Sequence, residues 1–367
     1  MSSIAVNAIT DANAGNTTTI NGVTPNSANV IGKNLVINGA MQIAQRGTST
    51  TGVTSAGYHA VDRFLENFLG LGTWTVSQDT DAPDGFSNSL KLACTTADAS
   101  PAASDRVNIQ YRIEGQTLQQ LAKGTASAKS VTLSFWVKSN KTGNMQVNFV
   151  DNDNARTIGN TVTINSASTW EKKSITFAGD TSGAFVNDNN LSAIVQWWLD
   201  SGSDFSSGSV PTSWQATNAI NNNAGGTLAL GDSTSNYINI TGVQLEAGSS
   251  ATEFEHRPYG TELQLCQRYY QLGGSGASGQ VDSTTTVRAV GLPFPVAMRS
   301  TPSGAMATAS ITALDFGTGV VTNASPTFST YIGTNTGGWI KITGWAAGTA
   351  YRGTVFTTDS IALSAEL

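Results

Sequence analysis

Between residues 30 and 255 apolar side chains recur at every second position in short runs, and clusters of Gly, Asn, Asp and Ser interrupt each run. A period of two puts alternate side chains on opposite faces of an extended chain, so these runs predict half-buried β-strands joined by turns. Val131, Leu133, Phe135 and Val137 share one parity, and Met145, Val147 and Phe149 repeat it after the 139–144 turn, which predicts a hairpin. Residues 170–177 and 191–199 supply two more strands. In 237–245 the phase changes at Gly242, with Ile238 and Ile240 on one parity and Val243 and Leu245 on the other. A bulge at that glycine returns all four to one core. The succession predicts an all-β, antiparallel sandwich of jelly-roll type over 33–258.

The flanks read differently. Residues 1–32 carry one short alternation (Ile4, Val6, Ile9) and an Asn21-Gly22 turn, too little to bury a core, so they form either a flexible leader or an arm that docks on another protein. Thr261-Glu262-Leu263-Gln264 has capping-box spacing, Leu265, Cys266, Tyr269 and Leu272 follow at helical spacing, and Gly273-Gly274 ends the run. This predicts a short connecting helix over 259–273. Runs at 284–292, 311–316, 327–332, 339–345 and 355–363 read as strands of a smaller C-terminal β-domain over 274–367.

Composition narrows the function classes. Only 12% of the 367 residues are charged, so hydroxyls and amides keep the surface soluble, while 39% hydrophobic residues are enough for a folded core and argue against disorder. The net charge of −6 lacks the basic footprint of a nucleic-acid binder. Cys94 and Cys266 are the two cysteines, too few for a disulfide framework or a zinc knuckle, and both read as buried small hydrophobes. There is no apolar run of 18 residues, so membrane insertion is not expected, and the first residues do not read as a signal peptide.

Enzymatic motifs are missing as well: the sequence has no Gly-x-Ser-x-Gly, no His-Glu-x-x-His and no Walker loop. The expectation is therefore a non-enzyme. His59 and His256 are the two histidines, and His256 reads as a backbone hydrogen-bond partner at a domain junction. Asp62 with Arg63, and Glu255 with Arg257, read as structural charge pairs. Asp151 and Asp153 in Asp151-Asn152-Asp153-Asn154 offer hard oxygen ligands for a structural calcium, though the spacing is not that of an EF-hand and the segment also serves as a plain turn. If the core parity holds, Thr132, Ser134, Trp136, Gln146, Asn148, Gln196 and Trp198 share the opposite face. Aromatic rings flanked by amides suit a sugar, whose apolar face stacks on the ring while its hydroxyls bond the amides. The same residues also suit packing under the long 200–226 excursion or against a neighbouring subunit.

Two stretches add a resemblance. Asn34-Leu35-Val36-Ile37-Asn38-Gly39-Ala40-Met41-Gln42-Ile43-Ala44-Gln45-Arg46-Gly47, with Gly57-Tyr58-His59-Ala60-Val61-Asp62-Arg63-Phe64, opens the sandwich. Val243-Gln244-Leu245-Glu246-Ala247-Gly248-Ser249-Ser250-Ala251-Thr252-Glu253-Phe254-Glu255-His256-Arg257-Pro258-Tyr259-Gly260 closes it. Both resemble the boundary motifs of a carbohydrate-binding-module-like β-sandwich in bacteriophage tail and fibre proteins. Phe294-Pro295-Val296-Ala297-Met298-Arg299-Ser300-Thr301-Pro302 resembles the element that follows it there. The resemblance implies a virion protein made in the host cytoplasm, a tail fibre or tail-tip adhesin that binds a host surface glycan. It also implies attachment to another virion protein through 1–32. A homotrimer with Leu265, Cys266 and Tyr269 near the three-fold axis is expected. The rival is a purely structural head-decoration or collar protein.

Overall fold

The computed structural model describes residues 32–273, 278–283, 286–307, 310–315, 319–324, 327–343, 353–356 and 361–367, so the leader expected to dock lies outside the described residues. Twelve strands build the sandwich: β1 Ser49–Val53, β2 Phe64–Leu69, β3 Thr73–Asp79, β4 Ser89–Thr96, β5 Arg106–Glu114, β6 Val131–Ser139, β7 Gly143–Asp151, β8 Arg156–Ile164, β9 Glu171–Phe177, β10 Leu191–Ser201, β11 Gln215–Ala216 and β12 Tyr237–Ala247. They form two six-stranded sheets, ordered β1-β3-β4-β12-β6-β9 and β11-β8-β7-β10-β5-β2. Every pairing is antiparallel. The jelly-roll-like, all-β expectation holds.

The inner faces meet in one core, and aromatic pairs bridge the sheets. Phe135 on the first sheet stands edge-on to Trp197 on the second at 5.9 Å, Phe177 stacks on Phe149 at 5.9 Å, and Trp74 stacks on Phe68 at 5.5 Å. Offset and edge-on geometries like these add to the area term. The phase change in β12 is resolved as the sequence predicts. Gly242 has φ +61, the β12–β6 register shifts between Thr241 and Gln244, and Ile238, Ile240, Val243 and Leu245 are all buried.

The predicted hairpin is corrected. β6 pairs with β12 and β9, whereas β7 pairs with β8 and β10, so the two strands lie in different sheets. Their connection is held by other partners. Lys141 Nζ donates to the Ala229 carbonyl and pairs with Asp232 at 2.6 Å, and Asn140 Oδ1 accepts from the Tyr237 amide. The chain therefore crosses between sheets there, and the two strands present the same parity to the core from opposite sides.

The helix is Tyr259–Gln267, with Pro258 at its N-cap, three residues before the Thr261 of the capping-box reading, and no side-chain cap. The Glu262 carboxylate is spent on the Asn38 amide, and residues from Tyr270 to Gly273 form a strand instead of a last helical turn. That strand joins Ile361–Ser364 and Ser303–Met306 in a three-stranded sheet. A seven-stranded sheet has the order Gly319–Ala324, Ser310–Asp315, Gly353–Phe356, Ser278–Ser283, Thr286–Pro293, Gly337–Thr343, Thr327–Thr334. The run read as one strand at 355–363 is thus divided between two sheets. Met298, Ile340, Ile342, Phe356, Ile361 and Leu363 form a second core.

Candidate functional site

The boundary motifs are clamps. Glu255 accepts from the Gly32 and Asn34 amides, at 2.7 and 2.8 Å, and Arg257 lies 3.5 Å from Glu255 while donating to the Val36 and Asn34 carbonyls. Closing and opening segments are thereby tied together. Asp62 and Arg63 do not pair with each other. Asp62 lies 3.5 Å from Arg46, and the buried Arg63 pairs with Glu366 while its guanidinium sits 3.4 Å over the Tyr269 ring. Arg299 donates to the carbonyls of Ala365 and Asn189, so three motif arginines hold the 365–367 segment against the sandwich. Burial raises the Asp62 carboxyl to about 6, against the pull of Arg46 and Gln45.

Cys266 and Tyr269 are buried within the single chain, and Leu265 is half-buried, lining a cavity of about 360 Å³ with Leu35, Ile37, Tyr111, Arg257 and Arg268. The expectation that Cys266 and Tyr269 wait for neighbouring helices is therefore corrected: the first sandwich motif already covers them. The cavity's cations are committed as well, Arg268 to Glu114 at 2.9 Å and Arg257 to backbone. Both cysteines are free and buried, as expected.

Of the two readings of the Asp151 segment, calcium site or plain turn, the first meets an ammonium at the place of the metal. Lys123 Nζ lies 2.5 Å from Asp151 and 3.1 Å from Asp180, and it donates to the Ser182 and Gly183 carbonyls at 2.8 and 2.7 Å. Phe185 and Trp214 flank the ammonium, with centroids at 5.3 and 5.1 Å. Asp153 points elsewhere and accepts from the Val186 amide. Oxygen donors that would surround a divalent ion surround a lysine, which leaves no room for the metal.

The shared outer face does not form, because Trp136 and Trp198 stand on different sheets. On the second sheet the outer residues are covered by the excursion after β10. Gln146 donates to the Asn221 carbonyl and accepts from the Gly225 amide, Asn148 donates to the Asn222 carbonyl, and all three distances are 2.7–2.9 Å. Trp198 is 3% exposed, packs on Phe205 at 5.1 Å and donates to Gln196 Oε1 at 3.0 Å. As contacts for an external ligand, Gln146, Asn148 and Trp198 are thus corrected: their surface and hydrogen bonds are used by the chain itself. Gln196 is half-buried beside them.

On the first sheet Trp136 remains partly open, with partners that the sequence reading did not connect. The β6–β9 register sets Trp136 opposite Lys172 and Val137 opposite Glu171. Side chains at 136, 138, 170 and 172 therefore share the outer face, with the backbone positions of Trp136 and Trp170 on a diagonal of about 7–8 Å. Trp170 Nε1 and Lys138 Nζ both donate to Asp81, at 3.0 and 2.7 Å. Burial disfavours the Asp81 anion, but the hydrogen bonds from Lys138 and Trp170 outweigh it and hold the carboxyl below its usual range. The loop carrying Asp81 is fixed to the sheet by Ser89 Oγ on the Asp81 carbonyl and Thr241 Oγ1 on the Asn88 carbonyl. Next to Trp136, Phe86 packs with Phe254 at 5.0 Å and His256 at 5.3 Å. His256 is exposed on this ring cluster, and no hydrogen bond to backbone occurs at it among the described residues, contrary to expectation. A paired-strand signal was present, since 170–177 reads as a strand, but alternation does not say which strand it joins.

The result is a surface of two indoles, two ammoniums and one anchored carboxylate, able to stack an apolar ring and bond polar groups around it. Among the described residues no group of three His, Cys, Asp or Glu side chains is placed to hold a metal. No family model and no curated protein matches the chain. Solved structures do. The chain is similar to the enzymatically active domain of bacteriophage CBA120 tailspike protein 4, with 15% identity and TM-score 0.28, over 59% of this chain and 21% of that one. It is also similar to a CBM4 module (15% identity, TM-score 0.29, 57% and 97% of the two chains). A third is the C-terminal family 22 carbohydrate-binding module of Clostridium thermocellum Xyn10B, at 10% identity and TM-score 0.28, covering 57% and 98%.

Proposed function

We propose that this chain is a virion protein of the tail-fibre or tail-tip kind whose sandwich holds a glycan of the host surface on the Trp136–Trp170 face. The virion part rests on the two boundary motifs that resemble those of phage tail proteins, and attachment through residues 1–32 belongs to the same reading. The glycan part rests on one observation: two partly open indoles share a sheet face with Lys138, Lys172 and an Asp81 held by hydrogen bonds. Sugar rings stack on indoles, and the charged groups bond the hydroxyls around them. Trimeric assembly, expected of a fibre, then uses surfaces other than Cys266 and Tyr269.

Purified chain applied to a glycan microarray and to host cells tests this reading. Trp136→Ala and Trp170→Ala are each expected to weaken binding about ten-fold, a loss near 1.4 kcal/mol. Both variants binding like wild type would defeat it. The structural reading, a head-decoration or collar protein, is favoured by the closure of the second sheet's outer face, and it predicts no saccharide binding at all.

A further inference from the structure

The charges around the two indoles are unequal. Lys138 is neutralised by Asp81 at 2.7 Å, and Lys173 is neutralised by Glu171 at 2.5 Å. Lys172 is exposed, stands directly opposite Trp136, and has no ion pair among the described residues. Such an ammonium can swing over the neighbouring indole on its four-carbon stem. At the other corner of the patch Asp81 keeps its negative charge beside Trp170. The patch is therefore polarised along its diagonal, cationic at the Trp136 end and charge-balanced at the Trp170 end, where Asp81 and Lys138 offset each other, on a chain whose net charge is −6.

Resting on the reading of this face as a glycan site, we infer that its ligand is an acidic saccharide. The anionic group, a carboxylate or a sulfate, is taken by Lys172 while the ring carrying it stacks on Trp136. An adjacent ring reaches Trp170, the diagonal neighbour of Trp136 on the same face. The Trp170 end offers no second unpaired cation, since Lys138 is taken by Asp81, so the saccharide is read in one direction. Elsewhere on this acidic chain the same ligand is repelled on average, which concentrates binding at Lys172.

Calorimetric titration with an oligouronide, a sulfated oligosaccharide and the neutral counterpart of each tests the inference on the full chain. Acidic forms are expected to bind at least about ten-fold tighter than neutral ones, and less tightly as salt rises. Lys172→Ala erases that preference and Lys172→Arg keeps it, while the better-bound acid tells carboxylate from sulfate. Equal binding of acidic and neutral forms by wild type and Lys172→Ala overturns the acidic class and leaves the Trp136–Trp170 site standing. Failure of every saccharide to bind overturns the site with it.

Discussion

The outer faces of the two sheets start from the same pattern and end in opposite states. β6 and β7 each alternate apolar with polar residues, and each pairs with a strand that carries a tryptophan facing away from the core or flanks one. On the second sheet the chain folds back after β10, and backbone groups of residues 221–225 take the hydrogen bonds of Gln146 and Asn148 while Phe205 covers Trp198. On the first sheet the neighbouring loop stops at Asp81 and Phe86, leaving Trp136 and Trp170 partly open. A polar sheet face stays open or becomes an inner layer according to whether a connection is long enough to cover it.

The largest expected difference lies between the two tryptophans. Trp198→Ala removes a side chain that is 3% exposed and leaves a cavity beside Phe205, for a loss of about 3–5 kcal/mol. Trp136→Ala empties a partly open position and costs about 1 kcal/mol. Thermal unfolding measured beside host-cell adsorption separates them. Trp198→Ala is expected to lose adsorption only in proportion to unfolded protein, Trp136→Ala while still folded. Equal destabilisation by both would erase the contrast between the faces.

Sealing of the second sheet can be probed from its core side. Glu66 on β2 is fully buried and one carboxyl oxygen has no partner; burial raises it to about 8, against the pull of the His59 amide. The folded value lies above the unfolded one of 4.5, so folding takes up a proton between them. The stability tied to that proton is complete below pH 4.5 and is lost progressively as pH rises to the folded value of about 8, up to roughly 5 kcal/mol. Wild type is therefore expected to melt progressively earlier from about pH 5 to 8 and to level off above it, and Glu66→Gln to flatten that decline. A variant as pH-sensitive as wild type would mean that water already reaches Glu66.

What the sequence revealed follows from how far apart the deciding residues are. The bulge at Gly242 was legible because the phase change lies within nine residues of one strand. The inward parity of Val147, Phe149, Val195 and Trp197 was legible for the same reason. Which sheet each strand joins was not, since parity gives inside or outside while pairing depends on partners such as Asp232 and Tyr237 for the 140–141 turn. The Lys123 ammonium was hidden likewise: nothing near Asp151 in sequence announces a lysine arriving from another loop. Trp170 and Lys172 were read as one strand, and only the register with β6 makes them neighbours of Trp136.

A smaller effect sharpens the open face itself. Gly242 lies under the rings: a Cβ there would stand 2.7 Å from Phe86 Cζ and 2.9 Å from Trp136 Cδ1, and its φ of +61 disfavours any other residue. Gly242→Ala is therefore expected to cost about 1–3 kcal/mol, part from backbone strain and part from the collision. Gly52 isolates the first part, since its φ is +71 and nothing lies within 4 Å of an added Cβ. Gly52→Ala is expected to cost about 1 kcal/mol and to leave tryptophan fluorescence and saccharide binding as in wild type. Gly242→Ala shifts the Trp136 ring, so both readouts change in protein that is still folded at the assay temperature. If Gly242→Ala, measured where it is fully folded, binds saccharide as tightly as Gly52→Ala, the ring pair of Phe86 and Trp136 serves only to cover the bulge, and the first sheet's outer face is no more a site than the second's.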